Sequence, residues 1–249
     1  MRNLLLTISY DGSAYHGWQV QQNAVTVEEV FQDAWEKING KRENVVGCSR
    51  TDAGVHANMF CLNVRTETAL GCEKLVTALN AVLPFDIAVK ACREVPYEFH
   101  ARYDCKSKEY IYRILNSPVR SPFLNGKVWH YKPRLDEELL NTAAQGFLGE
   151  HDFSAFCASG SSVEDNHRTV LHAGVRREGD EVIFTVEADG FLYNMVRIMV
   201  GTLIGVAQGK IGADEIPEII ESKNRERAGV TAPPEGLYLN AVNYGGDEG

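Results

Sequence analysis

Apolar and polar residues alternate along the first stretch of the chain, as they do in a strand with one buried face. This period of two covers residues 4–10 and ends at Asp11-Gly12, a pair that favours a turn. The period becomes helical after Thr26, which has Glu29 three residues later in the form of a capping box. Gly40 follows the last apolar position of that pattern and marks the end of the helix. The chain therefore begins with a strand, a turn and one amphipathic helix.

The same alternation of strand and helix patterns continues to the end of the chain. The remaining predicted strands cover residues 44–49, 57–66, 87–94, 108–115, 170–177 and 182–187, with a last one starting at Leu237. The remaining predicted helices cover residues 73–83, 136–147, 192–207 and 214–222. This order predicts an α+β fold of two similar α/β sandwich halves, with mostly antiparallel sheets, helices on one face and a cleft between the halves. We place an N-terminal domain at residues 1–105 and a C-terminal domain at residues 106–249.

The charge of the chain is unevenly distributed. The net charge of −9 argues against a protein whose whole surface is basic for nucleic acid. Residues 100–134 depart from this balance, because they hold eight lysines and arginines against only Asp104 and Glu109, together with six aromatic residues. Such a mixture suits contact with phosphates and stacking on bases, while a solvated strand face would show the same composition. The composition therefore permits an RNA partner and does not require one.

The cysteines and the apolar stretches indicate in which cellular compartment the protein is expected. The six cysteines include no Cys-x-x-Cys pair, which indicates reduced thiols and neither a disulfide framework nor a zinc site. The longest apolar stretch, residues 195–207, is shorter than the roughly 20 residues that a membrane-spanning helix needs. The first residues lack the cleavage site of a signal peptide. We therefore expect a cytoplasmic protein without a membrane segment.

Three ionisable side chains crowd into residues 47–57, between two strand patterns. Arg50, Asp52 and His56 surround Gly54, and loops at strand ends are common places for catalytic groups. A plain turn would use the same residues, with Asp52 bonding to its own backbone and Gly54 supplying a positive φ. Because Asp52 is the only carboxylate of this segment, nucleophilic or general-base chemistry suits it better than the paired-carboxylate chemistry of glycosidases.

Two residues outside this segment could act with it. Arg197 lies in an otherwise apolar helix pattern, where a charge must be paired or must reach water. Asp52 would be its partner in the first case, and the second would place Arg197 at the edge of the helix. Tyr110 alternates with Tyr112 on a predicted strand, which indicates packing or, alternatively, a platform for a base that has left its stack. Residues 149–153 either cap a helix or line a site.

Several of these segments occur together, in the same order, in one known family. They are YDGSAYHGWQ (residues 10–19), RTDAGVHA (50–57), KEYIY (108–112), GEHDF (149–153), MVR (195–197) and APPEGLYL (232–239). Over essentially its whole length the chain resembles the TruA family of tRNA pseudouridine synthases. Ser49 departs from the family pattern, which usually has glycine before the arginine, and this departure concerns the backbone of the loop.

The resemblance implies a role for each candidate residue. Asp52 would be the catalytic nucleophile, Arg50 would enter the RNA stack as the target uridine leaves it, and Arg197 would pair with the Asp52 carboxylate. Tyr110 would stack on the flipped base, and His56 would belong to the substrate-binding residues. The implied reaction converts uridines 38, 39 and 40 of the tRNA anticodon stem-loop to pseudouridine. It would take place in a homodimer, without a cofactor or metal.

Two other function classes remain as alternatives. The first is a catalytically inactive module that binds tRNA or acts as its chaperone, against which the presence of Asp52, Tyr110 and Arg197 together argues. The second is an aspartate-dependent hydrolase of a small molecule. Its pocket would lack the basic residues of the 100–134 segment, and its activity would be insensitive to salt.

Overall fold

The computed structural model describes residues 1–160 and 163–245, and its elements follow the predicted order. The α+β prediction is confirmed, with ten strands and five α-helices among the described residues. The strands are β1 (Arg2–Tyr10), β2 (Val45–Gly47), β3 (His56–Thr66), β4 (Ile87–Val95), β5 (Ser107–Leu115), β6 (Trp129–His130), β7 (Gly149–Asp152), β8 (His167–Glu178), β9 (Glu181–Ala188) and β10 (Leu237–Asn243). The helices are α1 (Val27–Asn39), α2 (Cys72–Val82), α3 (Glu137–Ala144), α4 (Met195–Ala207) and α5 (Ile216–Ser222).

The chain divides into two compact units. The first unit holds residues 1–106 and the chain from Tyr238 onward, and the second holds residues 107–237. The predicted domains, residues 1–105 and 106–249, differ from these units in the place of the last strand. Strand β10 groups with the first unit because it pairs in parallel with β3, which comes far earlier in the chain. The domain division itself stays a prediction.

In the first unit, β1 pairs antiparallel with β3 on one side and with β4 on the other. The other edge of β3 carries β2 in its second half, antiparallel, and β10 at its start, in parallel. Strand β1 is mostly apolar, and its Leu4 and Ile8 side chains are fully buried. Helix α1 begins as the capping box predicts, with the Thr26 side chain accepting from the Glu29 N–H at 3.4 Å, and ends at Gly40 with a φ of 72°.

In the second unit, β5, β9, β8 and β7 pair in that order, each antiparallel to the next. Strand β6 is a short parallel addition to β5. As predicted, Tyr110 and Tyr112 are buried on one face of β5, while Ile111 between them is partly exposed. Every residue of α4 is buried except Arg197 and Ala207. At 13 residues α4 is nevertheless too short to cross a membrane, and the other described helices are no better suited.

The start of α4 differs from the prediction. The apolar pattern predicts the helix from Leu192, but the helix starts at Met195. Asn194 adopts a left-handed conformation with a φ of 59°, which a helix cannot continue through. The apolar pattern misses this start because it records burial and not the conformation of one residue.

The segment at residues 149–153 is mostly strand, and only its last residue, Phe153, caps a short 3-10 helix, Ser154–Phe156; that the segment lines a site stays a prediction. It contains strand β7, which pairs with β8 through Glu150 opposite Thr169. Asp152 nonetheless closes a turn after the strand, because its Oδ1 accepts from the Ser154 N–H at 3.0 Å and from the Ser154 hydroxyl at 2.5 Å. The pairing partner, β8, is separated in sequence, so the local pattern could not reveal the strand.

Candidate active-site residues

Asp52 lies on a four-residue turn between β2 and β3. The Val55 N–H donates to the Asp52 carbonyl at 3.1 Å, which closes the turn, and Gly54 supplies a φ of 78°. Asp52 itself is half-buried. The plain-turn interpretation is therefore correct as far as the backbone is concerned. The turn is also compatible with chemistry, because it holds a carboxylate at the end of a buried strand.

Residues 10–18, which run from the last residue of β1 into the connection to α1, hold this turn from one side; we call them the 10–18 segment. The Trp18 N–H donates to the Thr51 carbonyl at 3.1 Å, and the Gly54 N–H donates to the Tyr15 carbonyl at 3.1 Å. The residue before the aspartate and the glycine after it are thus both fixed by main-chain hydrogen bonds. Such bonds do not depend on side-chain rotamers, so they restrict the position of the turn strongly.

Two hydrogen bonds made by hydroxyl groups support the same arrangement. The Tyr10 and Thr51 hydroxyls lie 2.8 Å apart in a buried hydrogen bond. The Tyr15 hydroxyl donates to Asp86 Oδ1 at 2.6 Å. Burial, together with the hydrogen bond and the charge of Asp86, raises the pKa of Tyr15 above its ordinary value. Tyr15 therefore stays protonated and remains a donor throughout the neutral range.

Two glycines allow the 10–18 segment to approach the turn. A Cβ on Gly12 would lie 1.9 Å from the Val55 carbonyl oxygen, and one on Gly17 would lie 2.3 Å from the Thr51 carbonyl oxygen. Neither distance is possible for a real side chain. Sequence reasoning assigned no function to this segment, although it formed one of the family motifs. Its signal was the pair of glycines in YDGSAYHGWQ, a residue type that permits a close backbone contact as well as a turn.

His56, the first residue of β3, lies under the turn and not on its surface. Its side chain is 1% exposed, and its ring stacks on Tyr238 with centroids 4.5 Å apart. The Gly12 N–H donates to His56 Nδ1 at 3.0 Å. Asp11 Oδ1 lies 3.1 Å from the same nitrogen, but it accepts hydrogen bonds from the N–H and O–H of Ser13.

The two contacts of His56 Nδ1 exclude each other. The nitrogen accepts from Gly12 only when it carries no proton, whereas an ion pair with Asp11 would require that proton. The Gly12 N–H is directed at the ring nitrogen, so we assign Nδ1 as the acceptor and place the ring proton on Nε2. The predicted contact of His56 with substrate stays a prediction.

Arg50 is exposed, in contrast to the buried residues around it. Among the described residues its side chain makes no hydrogen bond or ion pair. Ser49, where the family usually has glycine, has no positive φ, so serine fits this backbone without strain.

Tyr110 and Arg197 belong to the second unit. Tyr110 lies on β5 opposite Val186; it is 5% exposed, and its ring meets Phe191 edge-on at 5.0 Å. Tyr110 is thus packed inside its unit, as one of the two alternatives predicted. Arg197 lies on the first turn of α4 and is partly exposed.

The Arg197 side chain is held by groups that flank its helix. Its Nε donates to the Ala232 carbonyl at 2.7 Å and its Nη1 donates to Asn194 Oδ1 at 2.8 Å. The Ala232 N–H in turn donates to the Arg197 carbonyl at 3.0 Å. The guanidinium therefore has a fixed orientation at the start of α4.

The basic 100–134 segment is partly neutralised within the second unit. Arg113 makes two hydrogen bonds of 2.8 Å to the Glu181 carboxylate, and Arg134 lies 3.8 Å from Glu137. Arg120 and Lys132 are exposed. The net charge counted from the sequence therefore overstates the charge that this part of the chain can offer to an RNA.

No group of three or more His, Cys, Asp or Glu residues in the described part of the chain is placed to hold a metal ion. None of the six cysteines forms a disulfide. The expectation that the reaction needs neither metal nor cofactor stays a prediction.

Comparisons with known proteins agree with the motifs. A family model described as tRNA pseudouridine synthase matches residues 6–104 and 143–245. The chain is 50% identical to tRNA pseudouridine synthase A of Acetivibrio thermocellus, 49% to that of a Thermoanaerobacter species and 45% to that of Clostridium acetobutylicum. Each alignment covers 98% of this chain and 100% of the relative. The chain therefore belongs to the tRNA pseudouridine synthase family, a family of isomerases that modify tRNA.

Proposed function

We propose that this chain converts uridine to pseudouridine at positions 38, 39 and 40 of the tRNA anticodon stem-loop, with Asp52 as the nucleophile. The observation that carries the proposal is the Asp52 turn, whose neighbours on both sides are fixed by main-chain hydrogen bonds. In the reaction the N1–C1′ bond breaks, a C5–C1′ bond forms, and a proton is lost from C5 while N1 gains one. No oxidant or reductant is needed.

A fixed carboxylate suits this reaction, because holding the reacting group in place removes much of the entropic barrier. Asp52 could attack C1′ of the ribose or C6 of the base, or take the C2′ proton. A slower rate on uridine deuterated at C2′ would identify the third route. An unchanged rate would leave the two nucleophilic routes.

Arg50 is proposed to fill the gap that the uridine leaves in the RNA stack. Unstacking a base costs a few kcal/mol, and a planar guanidinium in the gap can recover part of this. The proposal is supported by the exposure of Arg50 and by the freedom of its side chain among the described residues.

Tyr110 is proposed to stack on the flipped base and Arg197 to pair with the Asp52 carboxylate. Because Tyr110 is 5% exposed, a base could reach its ring only if a neighbour moved aside, and the half-buried Phe191 is the neighbour in edge contact. The fixed orientation of Arg197 supports a pairing role, since a guanidinium already held in place loses little entropy on binding a carboxylate.

The partner and the assembly are part of the same proposal. The tRNA phosphates would contact the exposed basic residues of the 100–134 segment, while the acidic remainder keeps the protein dispersed in the cytoplasm. We also propose a homodimer. Sedimentation equilibrium would show twice the 27.7 kDa mass of one chain, and a single-chain mass at micromolar concentration would contradict this.

The decisive experiment is Asp52→Asn, with Asp33→Asn as the matched control on an exposed position of α1. Unmodified tRNA is incubated with each protein, pseudouridine is mapped, and binding is measured by filter retention. We expect Asp52→Asn to form no pseudouridine while binding tRNA with an affinity within about threefold of the unsubstituted protein. Asp33→Asn should keep full activity. Turnover by Asp52→Asn would contradict the role of Asp52.

The inactive tRNA-binding module is tested by the same experiment. It predicts binding without pseudouridine formation by the unsubstituted chain. The small-molecule hydrolase predicts neither binding nor modification, and activity that does not fall with salt.

A further inference from the structure

His56 is buried and ionisable and lies four positions after Asp52, and the proposed reaction gives it no step. Its side chain is 1% exposed, and stacking on Tyr238 covers one face of its ring. A ring in this position presents no surface to an RNA. We infer that His56 is a positioning residue, which sets the place of the Asp52 turn by accepting the Gly12 N–H at Nδ1. This inference rests on the proposed role of Asp52.

The geometry makes this hydrogen bond a link between two segments far apart in sequence. Gly12 belongs to the 10–18 segment, and His56 directly follows the turn that Val55 closes. A Cβ on Gly12 would lie 1.9 Å from the Val55 carbonyl oxygen, so the two backbones are already in contact at this point. The hydrogen bond of 3.0 Å therefore fixes how far the end of the turn lies from the end of β1.

If the ring nitrogen is lost, the Gly12 N–H loses its acceptor, and the neighbouring Asp11 Oδ1 already accepts from the N–H and O–H of Ser13. Gly12 is buried, and its N–H would then face a site that water does not reach easily. The backbone would relax until that N–H found another acceptor. Because the 10–18 segment also holds Thr51 and Gly54, such a movement would carry the turn with it.

Stacking fixes the orientation of the ring, which the hydrogen bond requires. Strands β3 and β10 pair in parallel with His56 opposite Tyr238, and the two ring planes lie 21° apart. The pairing of the strands thus holds Nδ1 towards Gly12. The ring acts on Asp52 through the backbone, and substrate contact is not needed for its effect.

The test uses two substitutions that differ in which ring nitrogen they imitate. In His56→Asn the amide oxygen can occupy the position of Nδ1, whereas in His56→Gln it can occupy only that of Nε2. We expect His56→Gln to lower kcat by about 10- to 100-fold and His56→Asn to stay within about fivefold of the unsubstituted protein. The KM for tRNA should change by less than about threefold in both.

Two further measurements separate positioning from a general loss of stability. Hydrogen exchange of the Gly12 amide should be slow in the unsubstituted protein and in His56→Asn, and fast in His56→Gln. The same pair of substitutions at the exposed His172 should alter neither kcat nor exchange. His56→Phe, which keeps a stacking ring without an acceptor, should behave as His56→Gln.

The inference is overturned if His56→Asn and His56→Gln are equally active, or if Gly12 exchange is the same in both. It is also overturned if the loss appears in KM and not in kcat, because that would make His56 a substrate-binding residue. These outcomes are distinct from a failure of the proposed function, in which the unsubstituted chain forms no pseudouridine. In that case, hydrogen exchange of the Gly12 amide still tests whether His56 accepts its hydrogen bond.

Discussion

Two regions of the molecule bring backbone segments into closer contact than side chains would allow, and both do so beside a candidate functional residue. In the first unit, Gly12 and Gly17 let the 10–18 segment meet the Asp52 turn. In the second unit, Gly201 on α4 meets the segment that carries Ala232, since a Cβ on Gly201 would lie 1.6 Å from the Val230 carbonyl oxygen.

The regions differ in what holds the functional residue. Around Asp52 the contacts are main-chain hydrogen bonds of the neighbouring residues Thr51 and Gly54. Around Arg197 the side chain itself takes part, because its guanidinium donates to Ala232 and Asn194. The aspartate can therefore be changed without altering its turn, whereas a change at Arg197 also alters the packing of α4. For this reason, replacing the glycine or the asparagine of the second region tests that region more sharply than replacing Arg197.

The largest effect is expected from Gly201→Ala. Its Cβ would overlap the Val230 backbone, which must move away and take Ala232 with it. We expect a loss of about 3 kcal/mol in the free energy of unfolding and of at least about 100-fold in kcat. Urea denaturation and turnover on tRNA are the measurements.

Gly205→Ala on the same helix is the matched control. The atoms nearest to its Cβ would all belong to the Ile211 side chain, with Cδ1 at 2.8 Å and Cγ1 at 3.3 Å, and this flexible side chain can move aside whereas a backbone cannot. Its stability should change by less than about 1 kcal/mol, because the gain in helix propensity offsets the contact. Equal stability of the two variants would show that close backbone contact is not what positions this region.

A smaller loss of stability is expected from Gly17→Ala in the first region. Gly17 has a φ of 86°, and its Cβ would lie 2.3 Å from the Thr51 carbonyl oxygen. We expect a destabilisation of about 2 kcal/mol and a loss of activity of about 100-fold, since Thr51 directly precedes Asp52. Thermal unfolding and turnover are measured together.

Gly40→Ala is the control that separates the effect of a left-handed backbone from the effect of the close contact with another segment. Gly40 ends α1 with a φ of 72° and has no atom within 4 Å of the added Cβ. We expect Gly40→Ala to lower the free energy of unfolding by about 1 kcal/mol, from left-handed strain alone, and to leave activity unchanged. An equal loss of activity in both variants would contradict the role of the 10–18 segment.

The sequence predicts a structural feature well when the residues that determine the feature lie close together in the chain. Helix α1 was predictable because Thr26 and Gly40, which end it, lie next to the pattern that they close. The Asp52 turn was predictable for the same reason, since Asp52 and Gly54 are both turn residues. The start of α4 was not, because the left-handed conformation of Asn194 is a property of one residue in its surroundings.

The support of the candidate site was not predictable from spacing. The bond between Gly12 and His56 joins residues 44 positions apart, and β10 reaches His56 from the far end of the chain. Periodicity describes which residues face a core, but it does not say which distant segment supplies the core. The glycines of the 10–18 segment carried that information, and only the structure shows what they approach.

A moderate effect on activity alone is expected from Asn194→Gly. Glycine keeps the left-handed conformation that Asn194 adopts but removes the Oδ1 that accepts from Arg197. We expect kcat to fall by about tenfold, with a change in stability below about 1 kcal/mol. Asn194→Asp, which keeps the acceptor, should be close to the unsubstituted protein. If the glycine and aspartate variants were equally active, the side chain of Arg197 would not depend on this partner.

The smallest effect concerns acid, and it separates a region held by charged side chains from one held by the main chain. In the second unit Asp152 pairs with Lys223 at 2.7 Å. Burial opposes ionisation of Asp152, but hydrogen bonds from Lys223 and Ser154 outweigh it and lower the pKa from 3.8 to about 2. A carboxyl group whose pKa is lower in the folded state stabilises the fold above its unfolded pKa, and this contribution disappears as the pH falls towards the folded value.

The unfolding free energies of the unsubstituted protein and of Asp152→Asn should therefore differ by about 1 kcal/mol at pH 6, after allowance for the exposure of Lys223. The difference should shrink between pH 4 and pH 2, the interval set by the two pKa values. The main-chain bonds around Asp52 do not involve Asp152, so at pH 6 hydrogen exchange at Gly54 should be the same in the unsubstituted protein and in Asp152→Asn. If Gly54 exchanged faster in Asp152→Asn, the Asp52 turn would depend on the same charged contacts, and the contrast between the two regions would be wrong.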